Sequence, residues 1–205
     1  RYTSFENIVS SFEEYVMKID GPKVLCSDDI AVANLAQKYA ATTYGIVSEA
    51  DFRASQISFA HGASSFMVQH RIDGAYVSLG KVSVPLRGQH NVLNALAAIA
   101  MAMQCGVTFD ECSRALSSFG GVARRYEKRG EDGGVTFIDD YAHLPTEIAA
   151  VLKASRDETD NWKRVVAVFQ PNRFNRMNVL SPQYANAFVG ADLVVVTEIY
   201  ASGTT

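Results

Sequence analysis

From residue 135 onward the chain alternates Val-rich runs with helix-like segments, and that alternation constrains the fold more than any other feature. "VTFID", "RVVAVFQ" and "DLVVVTEIY" are continuous apolar runs of strand length rather than the every-second-residue pattern of a half-exposed sheet. Between them lie "PTEIAAVLKASRD" and the shorter "SPQYANAFVG". Pro145 suits a first helical turn, and Glu147 falls near the positive end of that helix. Strands buried on both faces and separated by helices predict a parallel sheet in an α/β domain.

The first part of the chain reads differently. Phe5, Ile8, Val9, Phe12, Val16 and Ile19 fall at helical spacing, so residues 4–19 are expected as an amphipathic helix ended by Gly21 and Pro22. "KVLCS" follows as a strand, then Asp28, Asp29 and a helix near 30–39. "TTYGIV", "FRASQISFA", "SSFMVQHRI", "AYVSLG" and "KVSVPL" read as short strands of a hairpin-rich patch. The Ala-rich middle of "GQHNVLNALAAIAMAMQCG" favours a helix stopping near Gly106, and Thr108 with Glu111 has capping-box spacing for another. Glycines and charges in "FGGVARRYEKRGEDGG" interrupt the pattern, which places a domain boundary near residue 121: 1–121, then 122–205. The chain opens inside a helical pattern and stops just after a strand, so it is expected to be a piece of a longer protein.

Composition removes several function classes. The net charge is −3, and no Lys or Arg run exceeds two residues, which argues against a nucleic-acid surface but leaves room for one small phosphorylated ligand. Cys26, Cys105 and Cys112 lack zinc-like spacing and are odd in number, as expected of reduced thiols in a cytoplasmic protein. No apolar run approaches the roughly 18 to 20 residues of a membrane span, and no signal-peptide pattern opens the chain.

In an open parallel sheet, ligands bind beyond the carboxyl ends of the strands. The first Val-rich run leads into Asp139, Asp140, Tyr141 and His143; the second into Gln170, Asn172, Arg173 and Arg176; the third into Glu198 and Tyr200. Two arginines, a histidine and several carboxylates would thus share one sheet edge. The plain alternative is that loops are simply polar.

Five motifs in one order, "GQHNVLNALAA", "GGVARRYE", "DDYAHLPTEI", "VVAVFQPNRFNR" and "ADLVVVTEIYASG", resemble the Mur ligases of peptidoglycan synthesis. The resemblance runs over essentially the whole chain. It implies the latter part of the family's central ATP-binding domain followed by the first part of a Rossmann-like C-terminal domain. It also implies a cytoplasmic, ATP- and Mg2+-dependent ligase that forms an amide through an acyl phosphate. The match points to the branch joining L-alanine to UDP-N-acetylmuramic acid, with a sister ligase of different amino-acid or peptide preference as the alternative.

Residue roles follow from the same resemblance. Asn91 and Asn94 would lie against adenine, although Asn also favours helix starts, and His90 beside them can be purely structural. Arg125 would reach the nucleotide phosphates, with Arg124 a surface charge; Asp140 would hold the ATP ribose, with Asp139 ordering the turn. Tyr141, His143, Arg173 and Arg176 would surround the incoming amino acid and the acyl group, His143 orienting the amine or taking its proton. Leu144 and Asn172 stand where the family usually has histidines, and Phe174 where it has a tyrosine, so His143 is the neighbourhood's one imidazole. No "GxxxxGK[ST]" phosphate cradle occurs, so that cradle and the metal ligands are expected upstream of Arg1. A chain lacking them could also serve as a non-catalytic binding module.

Overall fold

The computed structural model describes residues 4–156 and 162–203, which form two compact units. One holds the chain to Ser58, then Ser64–Pro85 and His90–Phe119; the other holds Phe59–Ala63, Leu86–Gln89 and the chain from Gly120 on.

In the first unit, α1 (Phe5–Met17) starts where Ser4 accepts the Asn7 N–H, and α2 (Ile30–Lys38) where the Asp29 carboxylate accepts those of Ala31 and Val32 at 2.9 and 3.0 Å. β1 (Val24–Cys26), β2 (Thr42–Gly45), β3 (Phe52–Ala60), β4 (Ala63–Ile72) and β5 (Ala75–Val84) form one sheet in that order. Val24 faces Thr42 and Tyr44 faces Phe52 in parallel pairs, whereas β4 and β5 are antiparallel. "AYVSLG" and "KVSVPL", expected as two strands, are the single strand β5. Its ladder slips beside Gly80, whose φ is 145° and where a Cβ would lie 2.9 Å from the Phe109 ring. That glycine marks a bulge under a close-packed helix, not a strand end.

Burial alternates along the sheet, with Phe52, Ala54, Phe66, Val68, Val82 and Val84 all buried. α3 (Gln89–Gln104) buries Val92, Ala95, Leu96, Ile99 and Ala100, a stripe at i, i+3, i+4, i+7 and i+8. Each fully buried Leu or Ile contributes about 1.5–3 kcal/mol. α4 (Phe109–Ser117) has the expected capping box between Thr108 and Glu111 and packs against β5.

The second unit departs from expectation in two places. Residues 127–132, read as an interruption, form β6 (Glu127–Asp132), antiparallel to β7 (Val135–Asp139). Gly133 and Gly134, at φ 54° and 76°, make the two-residue turn, a conformation that β-carbon-bearing residues resist. β7 therefore spends its ladder on β6, and among the described residues no ladder joins it to the two later Val-rich runs. The parallel pairing that the Val-rich runs predict is realised by β8 (Val166–Phe169) and β9 (Leu193–Val196), Val166 opposite Leu193.

α5 (Pro145–Arg156) starts at Pro145 as expected; Asp157, at the expected helix end, lies outside the described residues. The next helix was expected over 181–190, but α6 (Phe174–Tyr184) begins earlier, with Pro182 in its last turn. Ile148 and Leu152 of α5, Tyr184 of α6, Phe169 of β8 and Ala187 form the core of this unit. Burial is one-sided: Phe169 enters that core, while Val166, Val168, Leu193 and Val195 stay exposed.

Candidate functional site

The bend after β7 is held by the bend before β6. The Asp140 carboxylate accepts the Tyr126 N–H on one oxygen at 2.8 Å and the Ala142 N–H on the other at 2.7 Å, and the Tyr141 N–H donates to the Arg124 carbonyl at 2.8 Å. Arg124 and Tyr126 both take positive φ to make this fit. Asp140, rather than Asp139, thus orders the turn, and each of its oxygens keeps a second lone pair. Asp139 instead faces Arg124 at 3.6 Å, and the Arg124 guanidinium lies 4.8 Å from the Tyr141 ring centre. Arg124 is therefore not an idle surface charge. Its neighbour Arg125 is exposed, and its charge is felt at Glu147.

Two acceptors surround one nitrogen of His143. Nδ1 stands 2.9 Å from the Tyr141 carbonyl and 3.6 Å from a Glu147 carboxylate oxygen. A carbonyl can only accept, so the neutral ring carries its proton on Nδ1 and leaves the Nε2 lone pair available. Nε2 has no partner among the described residues, and the Tyr141 ring meets His143 edge-on at 5.2 Å.

Glu147 also accepts the backbone N–H groups of His143 and Leu144, each at 3.0 Å. Partial burial pushes its carboxyl up, but those two bonds, with the His143 and Arg125 charges, outweigh it and hold the group below its ordinary value. From α6, the Tyr184 hydroxyl donates to the His143 carbonyl at 2.6 Å. Burial raises that phenol, the Arg176 charge opposes the shift, and the Glu147 charge adds to it. Glu147 thus lies within electrostatic reach of Arg125, His143 and Tyr184, and Tyr184 within reach of Arg176; among the described residues, helix packing rather than a β7–β8 ladder brings α5 and α6 together.

Arg173 sits at the tip of β8, just before α6, with φ 69°. Its N–H donates to the Tyr200 carbonyl at 2.9 Å, and the Tyr200 N–H donates to the Pro171 carbonyl at 2.8 Å. These bonds and a bridge between Asn172 and Tyr200 continue the β8–β9 pairing to the strand tips. They fix the start of the helix that carries Arg176 one turn on.

In the first unit, Asn91 and Asn94 lie three residues apart on α3, off its buried stripe, and Asn94 is exposed. Their side chains are linked at 3.3 Å, and Asn91 meets His90 at 3.1 Å. Neither occupies the residue before the helix, so capping does not account for them.

Two family models cover most of the sequence: the Mur ligase middle domain over residues 1–102, and the Mur ligase glutamate ligase domain over residues 124–204. The chain belongs to the Mur ligase family. Among the curated Mur ligases it resembles is a UDP-N-acetylmuramate–L-alanine ligase of Geotalea daltonii, 40% identical over 98% of this chain and 44% of that one. Another of the same name, from Cereibacter sphaeroides, is 42% identical over 98% of this chain and 43% of its own. A crystal structure of UDP-N-acetylmuramate–alanine ligase from Thermotoga maritima superimposes with a TM-score of 0.76 at 30% identity, covering 98% of this chain and 43% of that one. The chain therefore spans less than half the length of these relatives.

Two members of the cluster escaped the sequence reading. Glu147 was seen only as a charge near a helix start, though its spacing from Leu144 is that of a helix-start acceptor. Tyr184 carried no signal, since its partner is a backbone carbonyl 41 residues away.

Proposed function

We propose that this chain is part of a cytoplasmic Mur ligase that joins L-alanine to UDP-N-acetylmuramic acid at the expense of ATP. The observation that carries this reading is the cluster of His143, Glu147 and Arg176 in a chain 40% identical to an enzyme of that name. The lactyl carboxylate attacks the γ-phosphorus of ATP and releases ADP, giving an acyl phosphate. The alanine amine then adds to the acyl carbon, phosphate leaves, and the amine proton passes to His143 Nε2. Arg173 and Arg176 clamp the alanine carboxylate, whose planar oxygens match a guanidinium fork, and Tyr141 lines the same pocket. Asp140 accepts from the ribose hydroxyls with its remaining lone pairs, Arg125 meets phosphate oxygens, and Asn91 and Asn94 read the adenine edge.

Among the described residues, no three His, Cys, Asp or Glu side chains stand close enough to hold a metal ion. No step is routed through the Mg2+ that the family resemblance implies. No helix among the described residues is long and apolar enough to cross a membrane. The test is substrate profiling of the intact protein. ADP release with L-alanine is expected; acceptance of a preformed peptide with refusal of L-alanine would establish a sister ligase instead. The 205 residues alone are expected to release no ADP.

A further inference from the structure

Tyr184 has an environment that core packing does not require. Its ring is buried among Ile148, Leu152 and Phe169, with the Phe169 ring centre 5.5 Å away. A phenylalanine would fill that space equally well. The hydroxyl instead reaches out of the cluster to the His143 carbonyl at 2.6 Å, a bond between segments 41 residues apart. Among the described residues no β7–β8 ladder fixes the His143 bend from the sheet side, and this bond and the α5–α6 packing tie it to α6. α6 in turn carries Arg176, two turns before Tyr184, and starts at Arg173, which is pinned to Tyr200.

We infer that Tyr184 is a positioning residue that sets the separation between the His143 imidazole and the Arg173–Arg176 end of α6, and thereby selects amino acids by the spacing of their amine and carboxylate. The inference rests on the proposed ligase reading, in which His143 takes the amine and the arginines take the carboxylate. An α-amino acid puts one carbon between those groups, and a β-amino acid puts two. A site whose two ends are locked at one distance rejects the longer substrate, and a loosened one does so less. Burial and the nearby Glu147 carboxylate keep the phenol protonated, so it remains a donor at neutral pH.

The experiment compares the intact protein with its Tyr184→Phe variant, using L-alanine and β-alanine as acceptors. The variant loses one oxygen and keeps the ring that packs on Phe169. We expect its KM for L-alanine to rise roughly 3- to 10-fold, the size of one lost hydrogen bond. Its preference for L-alanine over β-alanine should shrink by a similar factor, with the KM for ATP unchanged. The amides of His143 and Leu144 should exchange faster while α5 stays protected. Tyr39→Phe, which loses a 2.7 Å bond to Glu13 in the first unit, is the control and should leave every KM unchanged. An unchanged preference in Tyr184→Phe, or equal weakening of all substrates, overturns the positioning role alone. An intact wild-type protein that ligates no amino acid overturns the ligase reading beneath it.

Discussion

The Glu147 carboxylate accepts the backbone N–H of His143 at 3.0 Å and stands 3.6 Å from the same residue's Nδ1. The Ile148 N–H bonds back to the Leu144 carbonyl, so Leu144 opens α5. Its side chain offers no acceptor, and the carboxylate three residues on does the capping in its place. One acidic group therefore starts the helix and backs the imidazole.

Replacing Glu147 by glutamine keeps one acceptor and removes the charge. We expect about 1 kcal/mol lower stability at pH 7, measured by urea unfolding. The pH dependence follows from the sign of the shift. The folded carboxyl titrates below its unfolded value of 4.5, so its stabilisation is complete above about that pH and is lost as the pH falls through the folded value. Other carboxyls, among them Glu111, Glu127 and Asp192, are lowered too, so the diagnostic quantity is the difference between wild type and variant. That difference should narrow as the pH falls below about 4.5.

Asp140→Ala should leave the Tyr126 and Ala142 N–H groups without their acceptor and cost about 1–3 kcal/mol. Asp140→Asn should cost less, because its one amide oxygen still serves one of the two. If Asp140 also holds the ribose, both variants of the intact protein should show a raised KM for ATP, read in an ADP-release assay.

Ile99 is fully buried on α3, and Ile99→Ala should destabilise the first unit by about 2–5 kcal/mol, read from its unfolding midpoint. Gly80→Val should be severe for a different reason: it places a β-branched residue at φ 145° and drives it into the Phe109 ring. Failure to fold at 37 °C is the expected outcome, checked by circular dichroism.

These positions also show what the sequence could reveal. The Ala-rich helix α3, the Thr108–Glu111 box and the Pro145 start were legible because each depends on residues close together in the sequence. β6 was missed although Gly133 and Gly134 signal a tight hairpin, because the charges of residues 127–132 look like a loop and in fact cover an edge strand. α6 was placed too late because Arg173 and Arg176 were read with the polar residues following the second Val-rich run, whereas the helix begins at Phe174. At the site, the residues after each strand could be singled out from the sequence, whereas the contacts that hold them could not. Tyr184 reaches His143 through the packing of α5 on α6, and no local pattern encodes that contact.

The most direct test of the account separates the two chemical steps in the intact protein carrying His143→Gln. Acyl-phosphate formation can be followed without alanine, by scrambling of 18O from the β,γ-bridge of labelled ATP in the presence of UDP-N-acetylmuramic acid. Amide formation is followed by adding L-alanine. If Nε2 serves the amine, scrambling should stay near wild type while ligation falls about 10²- to 10⁴-fold. Ligation at the wild-type rate, or equal loss of both steps, would contradict it.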